Sequence, residues 1–215
     1  DKLKESGFDK KEPISKQLYD IYGLYPAPGD RHVGEFFPYY MKEEVLMEQD
    51  YEWKNNDFKV VDGWREEARV LFDEVRTKKE GYEEFLKGSG ETATYFIRSL
   101  ATGDISDEMV NVINNGYIDN VSSGIIVELP TYIDEFGLHP QKIGKLPDAI
   151  AAQCDRLGRE YLLMVEAAAT CNYELARQAM FLDPLVSNCK YPELLLKDLI
   201  RANLDLLPEA WEKHC

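Results

Sequence analysis

The spacing of apolar residues changes near Met109, and this change limits the folds that the chain can adopt. Over most of the sequence, apolar residues recur at helical spacing. Two short runs, 109–113 and 125–129, are instead rich in β-branched residues and are punctuated by turn sequences. The pattern predicts an α+β domain in which helices surround one small antiparallel sheet.

Several segments have the pattern of amphipathic helices. They are 14–25, 64–86, 91–102, 150–168, 175–182 and 191–207. In the second of these, Trp64 and Phe72 share one apolar stripe. In the third we expect Tyr95, Phe96, Ile97 and Leu100 to face inward. Residues 130–140 contain Pro130, Gly137 and Pro140, and we predict irregular structure there.

The domain boundary is placed near residue 14. Residues 1–13 are charged and lack apolar periodicity, which is typical of a linker or of the start of a fragment cut from a longer protein. We assign 14–215 to a single domain, since this length suits one large domain.

The charge and cysteine content exclude several classes of protein. Acidic residues outnumber basic ones by 40 to 25, and the formal net charge is −15, which argues against nucleic acid as a partner. No apolar run approaches the roughly 18–20 residues that cross a bilayer, so we expect no membrane partner. The four cysteines are widely spaced, which favours reduced thiols and a cytoplasmic location.

The usual catalytic signatures are absent from the sequence. It contains no G-x-G-x-x-G, no Walker loop, no G-x-S-x-G, no H-E-x-x-H and no pair of C-x-x-C motifs. His139 and His214 have no second histidine near them in the sequence. We therefore expect no metal ligands in this chain.

Residues 30–40 combine polar and aromatic side chains. Asp30, Arg31 and His32 can accept, donate and shuttle protons, and the aromatic residues that follow suit the apolar face of a sugar ring. We interpret Asp30 and His32 as candidate catalytic residues and Arg31 as a candidate substrate-binding residue. The alternative is a surface ion pair in a capping loop.

A second polar cluster follows the first predicted strand. Asn114 and Asn115 are candidate substrate-binding residues. The alternative is turn chemistry, because asparagine tolerates left-handed backbone. Glu128 lies between apolar residues of the second predicted strand, where it faces either solvent or a cleft.

Motifs in a fixed order give the chain a resemblance to a known family. In order, they are GDRHVGEFFP (29–38), SGE (89–91), NVINNGYIDN (111–120), VELP (127–130), GLHP (137–140), IGKLP (143–147), EAA (166–168) and DPL (183–185). Together they resemble the C-terminal portion of glycoside hydrolase family 4, the NAD- and divalent-metal-dependent glycosidases. The similarity points to the α-galactosidase, α-glucosidase and α-galacturonidase branch.

The resemblance implies a fold like the C-terminal domain of lactate and malate dehydrogenases. It also implies an N-terminal Rossmann domain, which this chain lacks. The apolar helix stripes indicate a surface that packs against that domain or another subunit, and we expect a homo-oligomer. The family hydrolyses O-glycosidic bonds by oxidation, elimination, addition and reduction, with NAD and Mn²⁺. The cofactor-binding region and the metal ligands of the family lie upstream of this chain, so the chain alone is expected to be inactive.

In the resemblance, Asp30 matches a position with a proposed acid/base carboxylate, and His32 matches a histidine of the α-galactosidase branch. Arg31 would bind an anionic sugar such as a uronate, or pair with Asp30. Two other interpretations remain open. One is the substrate domain of a 2-hydroxy-acid dehydrogenase, and the other is a non-catalytic helical module that binds sugar or another protein.

Overall fold

The fold was taken from a computed structural model, which describes residues 12–41, 58–78, 83 and 92–214. Two compact units are present. Of the described residues, the first unit contains 12–41, 109–130 and 140–214, and the second contains 58–78, 83, 92–108 and 131–139. The assignment of 14–215 to one domain stays a prediction, and residues 1–11 of the predicted linker lie outside the described residues.

The described part of the chain is rich in helix. Its α-helices are α1 (Pro13–Tyr22), α2 (Asp30–Val33), α3 (Phe58–Lys78), α4 (Ala93–Thr102), α5 (Asp148–Thr170), α6 (Tyr173–Leu182) and α7 (Pro192–Ala202). Short 3₁₀ helices span Gly34–Phe36, Pro38–Met41, Leu185–Asn188 and Glu209–His214. Over the described residues the predicted helices are confirmed with shifted ends: α3 begins before residue 64, and α7 ends at Ala202. Residues 79–82, 84–86 and 91 of the predicted helices lie outside the described residues. None of the described helices combines the length and apolarity that a bilayer span requires.

One small sheet has the strand order β1–β2–β3, with β1 at Ser106–Ile113, β2 at Ile126–Asp134 and β3 at Gly137–Pro140. The two predicted strands are confirmed within β1 and β2. The prediction of irregular structure at 130–140 was wrong, because β2 runs through Pro130 and turns into β3. Asp134 stabilises this turn by accepting a 2.8 Å hydrogen bond from the Phe136 N–H.

The core of the first unit lies between the sheet and α5. Ile125, Val127 and Leu129 are buried there against Ala151. The contact is close, because a Cβ atom built on Gly158 of α5 would lie 2.8 Å from the Ile125 Cβ. A second cluster joins α7 to the C-terminal 3₁₀ helix through buried Leu196, Ile200 and Trp211.

Helices α3 and α4 of the second unit leave their apolar stripes exposed. On α3, Trp64 is 57% exposed and Phe72 59%. On α4, the prediction that Ile97 faces inward was wrong, because its side chain is 67% exposed. Helical spacing gathers apolar side chains on one face, but it does not supply the surface that covers them. Polar contacts hold the end of α4, where Arg98 donates to Asp104 over 2.7 Å.

Candidate functional site

Asp30 is tied to the first turn of α1. Its two carboxylate oxygens accept hydrogen bonds from the backbone N–H groups of Ile14 (2.8 Å) and Ser15 (2.7 Å). These N–H groups have no partner within their own helix, so the carboxylate of the first residue of α2 caps α1. The Asp30 N–H donates in turn to Glu12 Oε2 over 2.6 Å.

The aromatic residues of this segment pack onto α1. Tyr22 and Phe37 lie with ring centroids 6.1 Å apart, and Phe37 contacts Tyr40 edge-on at 6.4 Å. Tyr40 is buried, and its hydroxyl donates a 2.7 Å hydrogen bond to Gln17 Oε1 of α1. The aromatic cluster and the Asp30 bonds therefore fix α2 against α1.

His32 is exposed on α2, two residues after half-buried Asp30. Its backbone N–H donates to Gly29 O over 2.9 Å, which holds the start of the helix. Arg31 lies between them on the same helix, and its side chain is outside the description. The structure thus gives a half-buried, anchored carboxylate and an exposed imidazole on one short helix.

The electrostatics around Asp30 and Glu12 also involve the phenol of Tyr25. Burial raises the pKa of Tyr25, and the negative charges of Glu12 and Asp30 raise it further. Glu12 was not predicted as a site residue, because it lies in the charged 1–13 segment that has the pattern of a linker. The available signal was an acidic residue directly before Pro13, since proline is common in the first turn of a helix.

Asn114 does not present its side chain to a ligand. The residue is 0% exposed. Its Nδ2 donates to the carbonyls of Ile118 (3.1 Å) and Val121 (2.8 Å), and its Oδ1 accepts from the Ile118 N–H over 3.0 Å. The amide therefore closes the 114–122 loop from inside, while the Asn114 backbone lies outside the left-handed region that the turn alternative invoked.

The other polar residues near the sheet differ from Asn114. Asn115 is exposed, so its assignment to substrate binding stays a prediction. Asn120 ties its loop to Leu146, donating to the Leu146 carbonyl over 2.8 Å and accepting from its N–H over 3.0 Å. Glu128 is exposed on β2 and faces away from the core.

Potential metal ligands do not cluster in the described part of the chain. No group of three His, Cys, Asp or Glu side chains that could hold a metal ion occurs there. His139 pairs with Asp134 at 2.8 Å, and His214 stacks on the Tyr173 ring with centroids 4.5 Å apart. Cys154, Cys171 and Cys189 carry free thiols.

Fold and site together define a helix-rich α+β domain in which one short helix carries an anchored carboxylate and an exposed imidazole. Residues 1–186 match the sequence profile described as the family 4 glycosyl hydrolase C-terminal domain. The chain belongs to this family, and the fold class expected from the resemblance is confirmed.

Curated relatives resemble the chain along nearly its whole length. It is 28% identical over 212 residues to an α-galactosidase of Rhizobium meliloti (strain 1021), which covers 94% of this chain and 43% of the relative. It is 31% identical over 213 residues to an α-galacturonidase of Thermoanaerobacterium saccharolyticum, which covers 96% of this chain and 44% of the relative. The chain thus spans less than half the length of these relatives.

Solved structures show the same fold. The crystal structure of lplD from Bacillus subtilis superposes with a TM-score of 0.76 at 28% identity, over 86% of this chain and 42% of that one. A 6-phospho-α-glucosidase from gut microorganisms, solved in complex with NAD and Mn²⁺, superposes with a TM-score of 0.69 at 20% identity, over 91% and 43%. At that identity, the second comparison supports the fold alone.

Proposed function

We propose that this chain is the substrate-side half of an α-glycosidase that hydrolyses an unphosphorylated galactoside, galacturonide or glucoside. The observation that carries the proposal is the similarity to an α-galactosidase and an α-galacturonidase over more than nine-tenths of the chain. Because the chain spans less than half of each relative, the activity belongs to a longer protein. We propose that a Rossmann domain supplies the remainder.

NAD and Mn²⁺ are proposed as cofactors of that longer protein. Membership of glycoside hydrolase family 4, whose members depend on NAD and a divalent metal, supports the proposal. When bound, the dinucleotide would remove and return a hydride, and the metal would polarise sugar oxygens. The described residues of this chain offer no three-ligand group for a metal, so the ligands would have to come from elsewhere.

Residues of α2 are proposed to handle the sugar and its protons. Asp30 is held in one orientation by two N–H donors, and each of its oxygens retains a second acceptor position for a sugar hydroxyl. His32 is exposed, and an imidazole can take up or release a proton near neutral pH. Arg31 would pair with the carboxylate of a galacturonide, and Asn115 would bind a sugar hydroxyl.

We also propose a cytoplasmic homo-oligomer. Free thiols at the described cysteines support a reducing compartment. The exposed stripe that includes Trp64 and Phe72 supports a contact with another domain or subunit, because apolar side chains at this spacing are usually covered.

The test is an assay of the protein extended by the upstream part of its gene. We expect hydrolysis of p-nitrophenyl α-galactoside, α-galacturonide or α-glucoside that requires NAD and manganese, and none from the 215-residue chain alone. Undiminished hydrolysis without NAD would contradict the proposal. Net production of NADH from lactate or malate, without glycoside hydrolysis, would instead identify a 2-hydroxy-acid dehydrogenase. Sugar binding by the 215-residue chain, with no turnover by the extended protein, would identify a non-catalytic module.

A further inference from the structure

A cavity of about 250 Å³ lies within the first unit, away from Asp30 in the sequence and formed by other helices. Its walls are apolar and come from α5, α6 and α7, with Met164, Met180 and Leu196 among the lining side chains. Two acidic residues, Glu160 and Asp183, line the same cavity. A pocket that is apolar apart from convergent charged groups is typical of a ligand site.

Glu160 is the unusual member of this lining. It is only 3% exposed, and no donor from the described residues reaches its Oε2 atom. Burial raises the pKa of this carboxyl, and the negative charge of Asp183 acts in the same direction, while Arg156 opposes them. The Arg156 guanidinium donates a 2.8 Å hydrogen bond to Gln153 Oε1, and not to Glu160 Oε2.

A buried carboxyl oxygen without a hydrogen-bond donor destabilises the folded protein, because it has lost its hydration and gained no partner. Asp183 does not supply a donor, since its Oδ1 already accepts a 2.7 Å hydrogen bond from the Leu185 N–H. Two acidic groups on one cavity favour a positive ligand over a neutral one. The apolar walls favour a ligand whose remaining part is hydrocarbon.

We propose that this cavity binds an aliphatic primary ammonium group. The alkyl stem packs against the side chains that include Met164, Met180 and Leu196, and the ammonium donates to Glu160 Oε2 and to Asp183. An ammonium group fits because it has three donors on a compact charge, carried by a stem that tolerates burial. The proposal is independent of the glycosidase assignment.

The test compares probes that differ only at the head group. The chain is titrated with 1-pentylamine, 1-pentanol and pentanoate at neutral pH, with binding followed by NMR. We expect pentylamine to bind at least about tenfold more tightly than pentanol, because its bond to the carboxyl is charge-assisted. We expect pentanoate not to bind.

Variants then test whether Glu160 causes the preference for the amine. Glu160→Gln keeps the shape of the side chain and is expected to remove the preference for the amine while pentanol still binds. Glu166→Gln, at an exposed position on the same helix, is the matched control and should keep the preference. Should Glu160→Gln fail to fold, Asp183→Asn, at the end of α6, is expected to reduce the preference.

Equal affinities for the amine and the alcohol, or an amine preference that survives Glu160→Gln, would overturn the proposal and indicate that water satisfies Glu160. Repeating the titration with the extended protein distinguishes two sources of the ammonium group. If pentylamine still binds, the ligand is a free amine. If pentylamine binds to the chain alone but not to the extended protein, a lysine side chain from the remainder fills the cavity.

Discussion

The carboxylate of Asp30 accepts a 2.7 Å hydrogen bond from the backbone N–H of Ser15, across a separation of 15 residues. Asp30, the candidate acid/base residue, is therefore also the cap of α1. A cap fixes the position of a side chain relative to a helix, which is what a catalytic group needs. The same arrangement means that a change at Asp30 affects stability and activity together.

The first prediction separates these two roles. Asp30→Ala is expected to lower the free energy of unfolding by about 1 kcal/mol, the usual effect of losing a helix cap. Asp30→Asn keeps one acceptor oxygen, so it should be destabilised less and yet lose activity in the extended protein. Asp20→Ala, which removes an exposed ion pair with Lys16 on α1, is the control and should cost less than about 0.5 kcal/mol. Urea unfolding measures the stability of all three variants. Equal losses of stability for Asp30→Ala and Asp20→Ala would show that the cap contributes nothing.

The second prediction concerns the 114–122 loop. Asn114→Ala leaves the buried Ile118 N–H and Val121 carbonyl without their partner, and it should destabilise the protein by about 2–4 kcal/mol. Asn115→Ala, at an exposed position, is the matched control and should change stability by less than about 0.5 kcal/mol. In the extended protein, Asn115→Ala should raise KM if the side chain binds sugar. Thermal unfolding that ranks the two variants in the opposite order would refute the structural role of Asn114.

The extent to which sequence predicts this structure depends on the range of the interactions. Helical spacing and β-branched runs are local, so α5, β1 and β2 were predicted. The bonds from Asp30 to α1 join distant residues, and no sequence periodicity encodes them. The exposure of Ile97 was missed for a related reason: an amphipathic pattern specifies a face but not its partner. Asn114 shows the intermediate case, since its turn chemistry was foreseen as an alternative but its burial was not.

The third prediction tests the contact between α5 and the sheet. Alanine usually stabilises a helix relative to glycine by about 1 kcal/mol. At Gly158, however, the new Cβ would lie 2.8 Å from the Ile125 Cβ, so Gly158→Ala should destabilise the protein by about 1–3 kcal/mol through overpacking. Gly63→Ala in α3 is the matched control, because its Cβ would meet no atom of the described residues within 4 Å, and it should be stabilising. A stabilising Gly158→Ala in urea unfolding would mean that α5 lies further from Ile125.

The fourth prediction is a pH dependence at Asp155 of α5. The hydrogen bond to Ser122 has the larger effect and the hydrogen bond to Arg159 the next, and together they lower the pKa of Asp155 to about 2. A carboxyl in the unfolded chain has a pKa of about 3.9. Its contribution to stability is therefore complete above about pH 4 and is lost as the pH falls towards 2.

Asp155→Asn should accordingly be less stable than the unaltered chain at pH 6, and the two should converge between about pH 4 and 2. The difference should stay below about 1 kcal/mol, since the ion pair is open to solvent. Arg159→Gln is expected to reduce the same contribution. Unfolding curves that stay parallel down to pH 2 would show that the pair does not couple to folding.

The fifth prediction assigns proton transfer to His32. In the extended protein, His32→Gln is expected to lower kcat by about 10²–10⁴, the range for loss of a general acid or base, with little change in KM. The pH–rate profile should lose one limb, which a purely structural residue would not produce. His139→Gln is the control, because His139 is also exposed but pairs with Asp134 on the β2–β3 hairpin. If both variants keep kcat, His32 does not transfer a proton, and Asp30 alone would remain as the candidate acid/base residue of α2.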